Sequence, residues 1–190
     1  MIDTLKKYAK DNNIPIILDE GLDFILNYIK ENNVKRILEI GTAIGYSSIR
    51  MAMTNKNIKI VTIERDNNMY EEAIKNIKRS KLNNQIEVIH GDAFNVDIND
   101  KFDLIFIDGA KAQYIKLFEK FKFNLDEKGI IITDNLKFHG LVDSDEEIES
   151  KDLRALINKI RMYISFLREN KEFKTDFYNI GDGISVSRRC

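Results

Sequence analysis

Apolar residues occur along this chain in two patterns, as short continuous runs and as positions that recur every three or four residues. The runs are typical of strands buried on both faces, and the periodic segments are typical of amphipathic helices. Up to residue 135 the runs predict five strands, at 36–40, 58–63, 86–89, 103–107 and 129–133. The segments between them predict helices at 45–53, 67–79 and 114–123. This alternation predicts a doubly wound α/β fold with a parallel sheet.

The two ends of the chain show other patterns. Residues 1–33 are predicted to be helical, with Pro15 between two helices and Asp19 as the cap of the second helix. Near the other end, a long predicted helix at 152–169 precedes two short segments (173–179 and 184–187) around a glycine-containing turn, which indicates a hairpin. The expected organisation is one domain over 1–190, divided into N-terminal helices (1–33), a cofactor- and metal-binding core (34–135), and a helix with an antiparallel hairpin (136–190).

Composition narrows the class of protein. A length of 190 residues with 43% hydrophobic and 32% charged residues indicates one globular domain with a sizeable core. The net charge of −1 provides no overall basic field for nucleic acid. Cys190 is the single cysteine, which excludes a disulfide framework and favours a reducing compartment. No signal peptide and no apolar run of about 20 residues is recognisable, so we expect a cytoplasmic protein with no membrane partner.

A glycine turn follows the first predicted strand. Gly41 and Gly45 are spaced G-x-x-x-G, whereas dinucleotide-binding proteins use G-x-G-x-x-G. Gly41 allows a ligand to approach the backbone closely, and Ser47 places a hydroxyl beside the N–H groups of the first helical turn. The pattern favours an S-adenosylmethionine site over a dinucleotide site. A plain strand–helix turn is the alternative interpretation.

Acidic residues follow the next two predicted strands. Glu64 follows Gly41 at close to the spacing of about 20 residues at which a carboxylate accepts hydrogen bonds from both ribose hydroxyls. Asp92 stands where it would accept a hydrogen bond from an adenine amino group. The alternatives are a solvent-facing glutamate that caps a helix and an ordinary turn aspartate. His90 is interpreted as a packed strand residue rather than as a ligand or a base.

Two further strand ends carry hard oxygen ligands. Asp108 ends the fourth predicted strand, and Asp134 and Asn135 end the fifth. Neighbouring parallel strands bring these side chains to one edge of the sheet, where two carboxylates and an amide oxygen suit Mg²⁺. Lys111 follows Asp108 by three residues, so it could reach a substrate hydroxyl bound to the metal. Turn-forming residues at strand ends and a surface lysine are the alternative interpretations.

Together these residues resemble the magnesium-dependent class I O-methyltransferases, the catechol and caffeoyl-CoA O-methyltransferase family. The resemblance covers nearly the whole chain and rests on the segments 39–47, 64–66, 91–93, 108–114 and 134–135. It implies a seven-stranded, Rossmann-like class I methyltransferase sheet with an antiparallel C-terminal hairpin. Within the family, three segments are most similar to a short bacterial branch that methylates 5-hydroxyuridine at the wobble position of tRNA: 63–66, 134–142 and 181–187.

The resemblance also implies roles for individual residues. The S-adenosylmethionine site is expected to contain Ile14, Glu39, Gly41, Ser47, Glu64, Asp92, Ala93 and Asp108. Mg²⁺ is expected to bind Asp108, Asp134 and Asn135. Lys111 matches the family's catalytic lysine, and Asp108 is expected to act at the methionine end of the cofactor as well as at the metal. Gly109 stands where the family often has an acidic residue or alanine, and it is expected to loosen the turn without removing a ligand.

The implied activity is transfer of the sulfonium methyl group to an acidic hydroxyl. The expected acceptor is 5-hydroxyuridine at position 34 of a tRNA anticodon loop, and the alternative is a small catechol or phenol. A nucleotide-binding dehydrogenase and a non-catalytic regulatory module are the other classes of protein considered. The resemblance further suggests a homodimer.

Contacts with a tRNA need basic and aromatic side chains. Segment 150–171 carries a local net charge of +4 and would contact phosphates, while Phe138 would stack on an extruded base. A solvated helix face and simple loop packing explain the same residues. The acidic run 143–147 would repel RNA and is expected to lie off its path.

Overall fold

The computed structural model describes residues 1–144 and 148–190. Its strands are β1 (Arg36–Ile40), β2 (Lys59–Glu64), β3 (Ile86–His90), β4 (Phe102–Ile107), β5 (Leu125–Thr133), β6 (Phe173–Tyr178) and β7 (Ile184–Arg189). These described strands form one seven-stranded sheet in the order β3-β2-β1-β4-β5-β7-β6. The first five pair in parallel, and β7 is antiparallel to both β5 and β6. The predicted doubly wound class I methyltransferase sheet with an antiparallel C-terminal hairpin is confirmed.

Helices cover both faces of this sheet. They are α1 (Ile2–Asp11), α2 (Asp19–Glu31), α3 (Tyr46–Ala52), α4 (Asn67–Arg79), α5 (Tyr114–Phe121) and α6 (Lys151–Glu169). Apolar residues of α1 to α4 share one hydrophobic cluster, and those of α5 and α6 share another on the opposite face. No helix within the described ranges is both long enough and apolar enough to cross a bilayer.

The alternation of side chains along β1 decides what each residue contacts. Ile37 packs in the cluster beneath α1 to α4, whereas Leu38 and Ile40 pack in the cluster beneath α5 and α6. Successive side chains of a strand point to opposite faces. Glu39 therefore points to the face that α3 covers, although its neighbours on both sides are apolar.

Several boundaries differ from the predicted ones for local reasons. Helix α3 begins at Tyr46 because Gly45, its N-cap, has a φ of +82°. Helix α2 begins at Asp19, whose carboxylate bonds the ammonium of Lys6 at 2.6 Å instead of capping the helix. Strand β5 begins at Leu125, earlier than predicted, because Leu125 pairs with Phe102 of β4 ahead of the exposed charged residues 126–128. These shifts do not change the order in which the strands lie side by side in the sheet.

The ends of β1 and β4 touch each other. The N–H of Asp108 donates to the carbonyl of Ile40 at 3.0 Å, and the N–H of Gly41 donates to the carbonyl of Ile63 at 3.1 Å. A Cβ on Gly41 would lie 2.8 Å from the carbonyl oxygen of Asp108, and one on Gly109 would lie 3.1 Å from that of Ile40. Gly109 thus permits a close contact, a more specific role than the predicted loosening of the turn. The contact sets the glycine turn directly beside Asp108.

We expect Gly41→Ala to lower the free energy of unfolding by about 2 to 5 kcal/mol, since it combines a positive φ with a clash against backbone. The matched control is Gly140→Ala, because Gly140 has a φ of +84° but open space where its Cβ would stand. That variant should lose only about 1 to 2 kcal/mol. Urea unfolding of both variants measures the difference. Equal losses would show that the backbone contact at Gly41 adds nothing.

Candidate active site

A cavity of about 820 Å³ opens over the carboxyl ends of β1 to β4. This volume is in the usual range for sites that bind small molecules, and such ends are where parallel sheets bind ligands. Segment 15–18, between α1 and α2, forms one wall. The predicted site residues that line the cavity are Gly41, Ser47, Glu64, Asp92, Ala93, Asp108, Lys111 and Asn135.

Three predicted site residues stand behind the cavity wall. Ile14 precedes the lining segment and packs against the core, partly buried. Glu39 is fully buried, and Asp134 is 1% exposed. The predicted ligand contacts of these residues stay predictions. Each of them nevertheless touches or adjoins a residue that does line the cavity.

Glu39 holds the glycine turn from beneath. Its carboxylate accepts hydrogen bonds from the hydroxyls of Ser47, Ser48 and Thr62, the last at 2.6 Å. Burial raises the pKa of the Glu39 carboxyl, and the three hydroxyl donors oppose that shift. Because Ser47 lines the cavity and Thr62 belongs to β2, this buried carboxylate ties the first helical turn of α3 to the centre of the sheet.

Glu64 closes the other side of the same turn. One of its carboxylate oxygens accepts from the N–H of Ala43 at 2.8 Å, and the other accepts from the N–H of Asp66 at 2.8 Å. Asp92 likewise accepts from the N–H of Phe94 at 2.9 Å. Both carboxylates are thus oriented by backbone groups before any ligand binds. Fixed acceptors of this kind suit the hydroxyl and amino groups of a nucleoside.

His90 lies outside this set. It is the exposed last residue of β3, and its ring stacks on Tyr70 with 4.6 Å between the centroids. His90 is thus more exposed than the predicted packed strand residue, and its packing partner is a partly buried tyrosine. Nothing in this arrangement directs the imidazole into the cavity.

A cluster of polar side chains forms the floor of the cavity beyond the glycine turn. The ammonium of Lys111 donates to Oδ1 of Asn135 at 2.5 Å and lies 3.9 Å from Oδ1 of Asp108. Within the described part of the chain, Oδ1 of Asp134 is buried and has no hydrogen-bond partner. Tyr114 donates its hydroxyl to the backbone carbonyl of Asp134 at 2.9 Å and so fixes the end of β5.

The two carboxyls of this cluster bind protons tightly. Burial, reinforced by the charge of Asp134, raises the pKa of Asp108 to about 8, against the opposing effect of Lys111. Burial also raises the pKa of Asp134 to about 6, against the opposing effects of the Asn135 backbone and Lys111. Like charges and a low dielectric both disfavour ionisation. The ammonium of Lys111 therefore offsets only part of the cost of ionising the two buried carboxyls.

The donor set fits a hard cation. Among the described residues, no group of three or more histidine, cysteine or acidic side chains is arranged to hold a metal. Asp108 and Asp134 supply two carboxylates, and Asn135 would have to complete the set with its amide oxygen. The orphaned oxygen of Asp134 is the observation that fits best, because a buried acceptor without a partner is costly. Oxygen donors of this kind suit Mg²⁺ better than zinc.

Sequence reasoning missed Asp182, which lines the cavity and is 6% exposed. It lies between Gly181 and Gly183 in the turn between β6 and β7, in a segment that the sequence assigned to a hairpin and to the family resemblance without giving Asp182 a role. Its carboxylate accepts from the amide of Asn135 at 3.2 Å and from the N–H of His139 at 2.6 Å. The signals that could have found it are an acidic residue between two glycines and its place in a segment that carries the family resemblance.

Comparisons with known proteins agree with this geometry. A seven-stranded sheet of this order, with a cavity over its central strands, defines the class I methyltransferases. The O-methyltransferase family model matches residues 2–190. The chain belongs to this family and is an S-adenosylmethionine-dependent O-methyltransferase.

Individual relatives are similar over most of their length. A Staphylococcus aureus protein, solved as a candidate caffeoyl-CoA O-methyltransferase, has a TM-score of 0.95 at 40% identity, covering 100% of this chain and 92% of that chain. A candidate caffeoyl-CoA O-methyltransferase of Arabidopsis thaliana is 30% identical over 98% of this chain and 82% of the relative. The flavonoid 3′,5′-methyltransferase of Vitis vinifera is 30% identical over 96% of this chain and 81% of the relative.

The raised carboxyl pKa values predict a pH-dependent stability of the metal-free protein. A carboxyl whose pKa is higher in the folded state stabilises that state at low pH, and the stabilisation is lost as pH rises through the folded pKa. Between pH 5 and pH 8 we expect a loss of about 1 to 3 kcal/mol from Asp108 and Asp134. Asp134→Asn should reduce this loss, because the side chain at position 134 then no longer ionises and no longer repels the charge of Asp108. Urea unfolding in a chelator at both pH values measures the change. The same loss in both proteins would contradict the prediction.

Proposed function

We propose that this enzyme methylates a hydroxyl on a small aromatic ring that carries a neighbouring oxygen, as a catechol does. The observation that carries the proposal is the orphaned, buried oxygen of Asp134, which lies directly behind the cavity floor that Asp108 and Asn135 line. Such a floor matches an acceptor bound through two adjacent oxygens and a shared cation. The caffeoyl-CoA and flavonoid acceptors named for the relatives are phenolic, which supports the same class.

The glycine-turn side of the cavity is the proposed site for S-adenosylmethionine. Glu64 and Asp92 would offer oriented carboxylates to the ribose and the adenine. The missing side chain of Gly41 lets the backbone of Asp108 pack against the turn, and the methionine end would lie beside this contact. Asp108 stands where the two halves of the cavity meet, directly against Gly41. The methyl group would therefore be presented towards the polar cluster of the floor.

The polar cluster is the proposed site of the acceptor hydroxyl. Asp108, Asp134 and Asn135 would hold Mg²⁺, which when bound supplies Lewis acidity that makes a nearby hydroxyl more acidic. Lys111 already lies at this cluster, with its ammonium against Asn135 and near Asp108. We assign Lys111 one of two roles. As a neutral amine it would accept the hydroxyl proton, and as an ammonium it would donate a hydrogen bond to the oxygen after that proton has left to solvent. Much of the acceleration would come from alignment of the two reactants by these fixed side chains.

A second candidate acceptor is 5-hydroxyuridine in a tRNA anticodon loop, and one observation favours it. The cavity wall contains the exposed cations Arg65 and Lys116 together with the aromatic rings of Phe94 and Phe138. Exposed cations and aromatic rings are what a single-stranded RNA loop requires. The hydroxyl of this base also has a neighbouring carbonyl oxygen, so the same floor would accept it.

Other predicted RNA contacts receive less support. The guanidinium of Arg161 donates to the carbonyls of Val142 and Ser144, and that of Arg154 donates to the carbonyl of Ile148. Each guanidinium therefore uses its Nε and one terminal nitrogen in bonds within the protein, although its charge remains. Of the acidic run predicted to lie off the RNA path, residues 145–147 fall outside the described residues. The small aromatic acceptor is thus the first proposal, and the tRNA is the second.

A direct comparison of acceptors tests this order. The purified enzyme, with S-adenosylmethionine and Mg²⁺, should methylate free catechols and caffeoyl-type phenols, measured by mass spectrometry of the products. Anticodon stem-loops with and without 5-hydroxyuridine serve as the matched pair for the second candidate. If only the modified stem-loop is methylated, the first proposal is wrong and the second is correct. If neither class of acceptor is methylated, both proposals fail.

Two variants separate the two halves of the cavity. We expect Asp134→Asn to lower kcat at least about 100-fold while cofactor affinity changes less than about twofold, since the metal side alone is damaged. Glu64→Gln should instead weaken S-adenosylmethionine binding about 10-fold, because one oriented acceptor is lost. Asp126→Asn, an exposed residue at the other end of the strand that carries Asp134, is the control and should change neither. Calorimetry and initial rates measure both effects. Full activity of Asp134→Asn would exclude the proposed role of the cluster.

A further inference from the structure

The turn between β6 and β7 is hydrogen-bonded to the loop that follows β5. Backbone N–H groups of Leu136 and Lys137 donate to the carbonyls of Gly183 and Asp182, at 3.0 and 2.8 Å. The Asp182 carboxylate adds two bonds, from the side-chain amide of Asn135 and from the N–H of His139. This carboxylate is nearly inaccessible to solvent, so its bonds are made in a low dielectric and are costly to lose.

These contacts allow only one orientation of the Asn135 amide. The ammonium of Lys111 can only donate, so it requires the amide oxygen. The carboxylate of Asp182 can only accept, so it requires the amide nitrogen. A flip of the amide would set nitrogen against ammonium and oxygen against carboxylate. Asp182 therefore keeps the oxygen of Asn135 turned to the polar cluster.

The same carboxylate holds an unfavourable stretch of backbone. Asn135, Phe138 and His139 all have positive φ values, of 62°, 44° and 57°. Left-handed conformations are unfavourable for residues with a Cβ and persist only where the surroundings impose them. The bond from the N–H of His139 to Asp182 is 2.6 Å long and supplies such a constraint. Phe138 belongs to the same loop and lines the cavity, so the constraint also fixes its position.

We propose that Asp182 is a positioning residue for methyl transfer, which directs the Asn135 oxygen into the polar cluster and holds the loop with Phe138 against the acceptor side of the cavity. The proposal rests on the proposed function in one respect, the use of the Asn135 oxygen at the acceptor side. Asp182 acts only through Asn135 and the loop. Its effect should therefore fall on the acceptor and metal side and spare the cofactor side.

The first test is the substitution Asp182→Asn, which replaces one carboxylate oxygen by the NH2 of an amide. In Asp182→Asn, a single acceptor oxygen remains for two donors, so Asn135 or His139 loses its partner. We expect kcat to fall about 10- to 100-fold, as it does when partners of ligand side chains are removed, with cofactor affinity within about twofold of the parent protein. The control is Asp176→Asn in the same hairpin, which breaks a half-exposed ion pair with Arg188 and should leave kcat unchanged.

A swapped pair gives a sharper test. In the double variant Asn135→Asp with Asp182→Asn, the donor and acceptor exchange places, one oxygen of residue 135 still faces Lys111, and His139 keeps an acceptor. Asn135→Asp alone instead sets two carboxylates against each other. We expect the double variant to exceed Asn135→Asp about fivefold or more in kcat, a coupling that a double-mutant cycle isolates. Additive effects of the two changes would overturn the proposal.

A measurement without turnover separates this proposal from the proposed function. In the protein without cofactor or metal, the side-chain amide signals of Asn135 in ¹⁵N–¹H spectra, assigned by their loss in Asn135→Asp, should shift in Asp182→Asn and stay in place in Asp176→Asn. Unshifted signals, an unchanged kcat, or a parallel loss of kcat and cofactor binding would each overturn the positioning role. If the parent protein methylates none of the acceptors, the proposed function fails, and the amide signals still decide the role of Asp182.

Discussion

The close contact between the ends of β1 and β4 is the constraint on which the cavity depends. Because Gly41 has no side chain, the carbonyl of Asp108 comes to within 2.8 Å of where a Cβ would stand. The glycine turn and the first acid of the polar cluster are thereby placed side by side. A cofactor held by the turn and an acceptor held by the cluster can then meet without any rearrangement of the sheet. Parallel pairing of β4 with β5 extends the same edge to Asp134 and Asn135.

The buried carboxylate of Glu39 makes this contact rigid. A fully buried acid is destabilising unless it is hydrogen-bonded, and here three hydroxyl groups from α3 and β2 satisfy it. Ser47 and Thr62 are therefore held in place from beneath the cavity, and the hydroxyl of Thr62 also contacts that of Thr42 at 2.7 Å. The turn owes its shape to a network centred beneath the cavity, whose members Thr42 and Ser47 also line the cavity.

Part of this architecture was predictable and part was not. Apolar runs identified the strands because strands buried on both faces need them, and the residues after those runs supplied the lining acids Glu64, Asp92 and Asp108. The true orientation of Glu39 follows from the alternation along β1, but the identity of its partners depends on how α3 packs. Asp182 was missed because its contact with Asn135 spans 47 residues, and a glycine-flanked aspartate is typical of any hairpin turn.

Electrostatics links the two halves of the cavity. Glu64, Asp92 and Asp108 line it with carboxylates, and the buried Asp134 raises the pKa of Asp108 further. A floor of this kind attracts positive charge, which the sulfonium group and a hard cation would both supply. Transfer of the methyl group leaves a neutral thioether, so the attraction between the acids and the spent cofactor falls when the reaction is complete. The same acids that favour binding of the methyl donor would thus hold its product less strongly.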